Sequence, residues 1–87
     1  MKVQVKLEYR AVPPEAELET IRQAGQTLTN NPKGVTVWLV EAGIYPIIIL
    51  EFTMKTQAQY KVVDEISDEV QRWLLSDLFR DITIQFG

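Results

Sequence analysis

Val35-Thr36-Val37-Trp38-Leu39-Val40, followed after a short break by Ile47-Ile48-Ile49-Leu50-Glu51-Phe52-Thr53-Met54, is the stretch on which the fold turns. Both runs are rich in β-branched and aromatic residues, the side chains that suit a pleated surface. The break, Ala42-Gly43-Ile44-Tyr45-Pro46, holds the glycine and proline of a turn, so the pattern predicts a β-hairpin across Gly43. Pro46, at the entry to the second run, costs no hydrogen bond in the middle of a ladder.

A hairpin closing symmetrically about Gly43 and Ile44 has a definite register. Leu39 faces Ile48, Val37 faces Leu50 and Val35 faces Phe52 on one side. Val40 faces Ile47, Trp38 faces Ile49 and Thr36 faces Glu51 on the other, because successive side chains of a strand alternate between faces. Both sides are therefore apolar, more than one sheet face can bury. If the first set lies beneath helices, then Trp38, Val40, Ile47 and Ile49 lie together on an open face.

Outward from the hairpin, the rest of the chain supplies the cover. Val3, Val5, Leu7 and Tyr9 alternate with Lys2, Gln4, Lys6, Glu8 and Arg10, the period of a strand with one dry and one wet side. Val12-Pro13-Pro14 ends it, since neither proline donates to a ladder. Glu15, Glu17 and Glu19 then complement a helix N-terminus, and Leu18, Ile21, Gly25 and Leu28 recur at helical spacing, predicting a helix over about 14–28. Asn30-Asn31-Pro32-Lys33-Gly34 breaks it. A second helix ends near 79 and starts near 57 or near 62, with Ile66, Val70, Trp73 or Leu74, and Leu78 on its apolar stripe. Thr56 with Gln59 fits a capping box; a later cap at Ser67 would instead leave Tyr60 to Val63 extended. Ile82, Ile84 and Phe86 alternate with Asp81, Thr83 and Gln85 as a last strand.

The order is β-α-β-β-α-β over a single α+β domain, residues 1–87, the arrangement called ferredoxin-like. Right-handed crossovers then put both helices on one face of a four-stranded antiparallel sheet. On the other face the first and last strands contribute only polar residues, so the apolar quartet has a polar border, as protein interfaces do. Burying four such side chains contributes roughly 6 to 12 kcal/mol, against on the order of 4 to 15 kcal/mol for the lost freedom of association. The alternative cover is intrachain, by the C-terminal residues or by an extended Tyr60 to Val63.

Composition removes much chemistry. With no cysteine and no histidine, disulfides, thiolate sites and the commonest general base are excluded. The net charge of -3 opposes a phosphate backbone. The outward positions of the two central strands, Lys2, Gln4, Lys6, Glu8, Ile47, Ile49, Glu51 and Thr53, offer no ring on which an RNA base would stack, so no nucleic-acid partner is expected. No apolar run reaches the roughly 20 residues of a membrane span, and the charged opening Met1-Lys2-Val3-Gln4-Val5-Lys6 lacks a signal's apolar block, so a cytoplasmic protein is expected.

Other candidates are weaker. Asp64, Glu65, Asp68 and Glu69 sit at the i, i+4 spacing of a shared cation but are explained by a helix start, so no metal or cofactor is expected. Asn30, Asn31, Lys33 and Gly34 do not match a phosphate loop. Ser67 and Ser76 have no base to activate them. Trp73 falls on the helical stripe and reads as core. The expectation is a non-enzymatic protein-interaction module, docking a second copy as a homodimer or another protein through Trp38, Val40, Ile47 and Ile49. The alternative is a small-ligand-binding regulatory domain using the Asn30 to Gly34 turn. A carboxylate and arginine enzyme, with Arg10 beside Glu8 or Arg72 beside Asp68, comes third.

Overall fold

The computed structural model describes residues 2–29, 32–54 and 59–87. Strand β1 (Lys2–Tyr9) leads into helix α1 (Glu15–Thr29) and a single 3-10 turn (Pro32–Gly34). The hairpin β2 (Thr36–Val40) and β3 (Ile47–Thr53) follows, then helix α2 (Gln59–Arg72) and strand β4 (Phe79–Phe86). The sheet order is β2-β3-β1-β4 with every neighbouring pair antiparallel, which is the ferredoxin-like arrangement.

The hairpin register is the symmetric one, with Leu39 opposite Ile48, Val37 opposite Leu50, Trp38 opposite Ile49, Val40 opposite Ile47 and Thr36 opposite Glu51. Val35 lies just ahead of β2 and packs on the core from there. Gly43 turns the loop at φ +125°, a conformation that a Cβ would oppose.

One face of the sheet is sealed. Val3, Val5, Leu7 and Tyr9 of β1 and Ile48, Leu50 and Phe52 of β3 are buried against Ile21 and Ala24 of α1 and Ile66 and Val70 of α2. Gly25 lets α1 come close to the hairpin: a Cβ there would stand 2.8 Å from Leu50 Cδ1 and 2.9 Å from Val35 Cγ1. Pro14 precedes α1, and its carbonyl accepts the Glu17 amide at 2.9 Å in the opening turn.

Three expectations change. Tyr60 to Val63 belong to α2, which begins at Gln59, so the extended alternative is excluded. Thr56 of the expected capping box lies outside the described residues. Helix α2 also stops at Arg72, well short of Leu78. The Trp73 and Leu74 amides tighten to i−3 bonds at 3.1 and 3.4 Å, and the Leu75 amide leaves the helix to reach Glu17 Oε1 at 2.6 Å. Leu78 packs on the core from the connection, its amide held by Ser76 Oγ. Strand β4 starts earlier than the alternation of Ile82, Ile84 and Phe86 suggests, because a bulge opposite Glu8 and Tyr9 absorbs Arg80 and lets Phe79 pair with Tyr9.

Glu17 is the one buried charged residue among those described, held by that amide through one oxygen only. Its Oε2 and the buried Tyr9 hydroxyl both lack a hydrogen-bond partner. Burial, then the charge of Glu17, pushes the Tyr9 phenol well above its ordinary value, so it stays neutral.

Candidate functional site

On the open face the register stacks side chains into rows that cross the four strands. One row runs Trp38, Ile49, Lys6, Thr83; the next runs Val40, Ile47, Glu8, Asp81; and on the far side of the first lies Thr36, Glu51, Gln4, Gln85. In the first two rows the apolar half belongs to β2 and β3 and the polar half to β1 and β4, while the third row is polar throughout. Trp38, Val40, Ile47 and Ile49 therefore form a compact two-by-two block.

All four are partly exposed. The partly buried apolar residues packed against the core include Val37 and Leu39 from β2 and Ile82, Ile84 and Phe86 from β4, but none of this quartet. Neither of the two intrachain covers reaches them: β4 runs to Phe86 inside the sheet, with the Gly87 amide bonded to the Lys2 carbonyl at 2.9 Å, and residues 60–63 are helical.

The border is tied down by polar contacts. Glu51 accepts a hydrogen bond from Gln4 Nε2 at 2.8 Å and an ion pair from Lys2 Nζ at 3.1 Å. These contacts, the Gln4 bond foremost, hold its carboxyl below the ordinary carboxylate value. At the other end Arg80 pairs with Glu8 at 2.7 Å, and its guanidinium stands 4.2 Å above the centre of the Tyr45 ring. The Glu8 carboxylate raises the Arg80 guanidinium further, so this charge is permanent. Lys6, in the middle of the face, has no ion pair among the described residues.

Arg80 and Tyr45 join the site unannounced by the sequence. The alternation of β4 begins after Arg80, and Tyr45 reads as a turn residue; the bulge that swings the cation over the ring leaves no single-sequence signature. Tyr, Trp and Arg are the side chains that most often dominate binding energy at interfaces.

The other candidates are dispersed. Asp64, Glu65 and Asp68 are exposed on α2, and Glu69 is occupied by Arg72 at 3.0 Å and by the Trp73 indole N–H at 2.8 Å. Arg72 thus faces Glu69 rather than Asp68, and Glu8 takes Arg80 rather than Arg10. Trp73 itself packs on the core just past the helix end. Ser67 Oγ accepts from Gln71. Asn30 and Asn31 lie outside the described residues, while Lys33 and Gly34 form the exposed 3-10 turn. Among the described residues no three carboxylates gather as a metal site, and no helix is long and apolar enough to cross a membrane.

No protein-family model matches the chain, and neither does any curated protein. Among solved structures the chain is similar to the de novo designed protein Ferredog-Diesel, with a TM-score of 0.57 at 14% identity over 99% of this chain and 85% of that one. At that identity the likeness speaks for the fold alone: this is a ferredoxin-like α+β domain.

Proposed function

We propose that the chain is a non-enzymatic protein-interaction domain that works through its open sheet face. One observation carries the reading: four large apolar side chains from two adjacent strands sit side by side, outside the core, with a polar border around them. A monomer gains little from Trp38 and Ile49 there, whereas a docked protein removes both from water together. Tyr45 and Arg80 extend the same surface.

Trp38→Asp is the test. The variant is expected to fold, because the indole lies outside the core, and to lose the association or protein capture that the wild type shows in solution mass and in pull-down. Wild type and variant both monomeric at high micromolar concentration, with the same proteins recovered by each, would overturn the reading.

The small-ligand alternative has its best place in a hollow of about 450 Å³ at the end of the sheet, lined by Lys2, Gln4, Gln85, Phe86 and Gly87. Two of its polar groups, Lys2 and Gln4, are already committed to Glu51. Thermal stabilisation by one member of a metabolite library, with Trp38→Asp unaffected, would favour it instead.

A further inference from the structure

We infer that the occupant of the open face is a second copy of this chain, related by a two-fold axis that crosses the strands midway between the Trp38 row and the Val40 row. The inference rests on the interaction reading above and gives it a partner and a register.

Charge is the first argument. The chain carries a net charge of -3, so two copies repel on average. The open face does not share that bias: Lys2, Lys6 and Arg80 balance Glu8, Glu51 and Asp81. It is a neutral surface on an acidic protein, and the surface on which another copy is least opposed.

Area is the second. With strands about 4.8 Å apart and about 3.3 Å of rise per residue, the whole face is roughly 19 by 23 Å in projection, and the apolar block takes only two strands and two rows of it. A stable interface removes about 800 Å² from each partner, more than the apolar block or even the flat projection of the whole face, so the polar half and the Tyr45 and Arg80 end have to be covered as well. The partner must therefore be apolar opposite β2 and β3 and polar opposite β1 and β4, in the same rows. This face meets that description itself.

Symmetry then fixes the pairing. A central axis parallel to the strands would lay β2 on the partner's β4, setting Trp38 and Val40 against Thr83 and Asp81. An axis across the strands keeps like strand over like strand, with the sheets aligned as in a sandwich. Placed between the two apolar rows, it sets Trp38 against the partner's Val40, Ile49 against the partner's Ile47 and Lys6 against the partner's Glu8. The next rows also complement each other: the end bearing Tyr45 and Arg80 meets the row bearing Glu51 and Gln4. Lys6, without an ion pair among the described residues, obtains one on each side of the dimer.

Two reversed variants test the register. Lys6→Glu and Glu8→Lys each put like charges at both symmetry-related contacts, so each chain alone is expected to dimerise about tenfold more weakly. Mixed together they restore opposite charges at both contacts, and sedimentation is expected to recover a heterodimer close to wild-type affinity. Circular dichroism of each chain establishes folding. Because the chain has no cysteine, Lys6→Cys mixed with Glu8→Cys gives a second reading: with facing sheets about 10 Å apart, a short bis-maleimide that alkylates one thiol of each chain is expected to cross-link the mixture faster than either variant alone. A wild type that stays monomeric at high micromolar concentration overturns the second-copy inference, while protein capture abolished by Trp38→Asp would still support the interaction reading. A dimer broken by Trp38→Asp yet indifferent to the charge reversals, with no preferential cross-link, overturns the register and leaves that reading standing.

Discussion

The two faces of this one sheet are built by different rules. On the helix side every strand supplies apolar residues: Val37 and Leu39, then Ile48, Leu50 and Phe52, then Val3, Val5 and Leu7, then Ile82, Ile84 and Phe86. On the open side only β2 and β3 do so, and β1 and β4 answer with charges and amides. A strand buried on one face alone reads as clean alternation, which is what β1 shows. Continuous runs such as Ile47 to Leu50 read as strands dry on both faces, yet the fold provides helices for only one. The mismatch between what β3 is written for and what the monomer covers is the structural reason to look for a partner.

The sharpest way to break the comparison is to truncate neighbours on β3 that point opposite ways. Leu50→Ala opens a cavity beneath α1 and is expected to cost about 2 to 5 kcal/mol in urea unfolding. Ile49→Ala, one residue away, is expected to cost less than about 1 kcal/mol when measured at low micromolar concentration, where the faces are apart. Equal losses would mean that the open face is held as firmly as the core.

A polar exception inside the sealed face gives a smaller effect. Glu17 holds the Leu75 amide and so pins the α2 to β4 connection against α1. Glu17→Ala leaves that part-buried amide without its acceptor and is expected to cost about 1 kcal/mol in the same urea titration. Glu17→Gln keeps a carbonyl acceptor for Leu75 and brings an amide donor to the unpartnered Tyr9 hydroxyl, so it is expected to lose less than half as much. If both variants lost the same, the negative charge rather than the acceptor would be what the site needs.

How far the sequence could be read follows the same division. Local patterns gave the strands, α1 and the hairpin register, because a period of two and a turn glycine act over a few residues. The end of α2 was hidden, since Leu78 keeps helical spacing while Glu17, 58 positions away, draws the Leu75 amide out of the ladder. The bulge at Arg80 was hidden for a similar reason: it exists to bring Phe79 against the Tyr9 ring, 6.0 Å between centres, and that pairing is made across the whole chain. The quartet Trp38, Val40, Ile47 and Ile49 was legible as a surplus of apolar residues. Tyr45 and Arg80, which extend it, were not, because a cation resting on a turn tyrosine follows from the bulge.

The smallest effect belongs to the border between the two regimes and is read as a function of pH. Gln4 and Lys2 hold the Glu51 carboxyl below its ordinary value of 4.5, so the folded chain binds a proton there less readily than the unfolded chain does. The contribution is therefore complete above that ordinary value and is lost as the pH falls through the lowered one. Stability of the wild type should decline as the pH falls below 4.5 with a component that Glu51→Gln lacks, and the difference between the two curves should shrink in high salt. Leu50→Ala removes no titrating group and is expected to shift the whole curve without changing its shape. A Glu51→Gln curve parallel to the wild type across that range would mean that the rim contacts add nothing to the fold, leaving a partner as their only use.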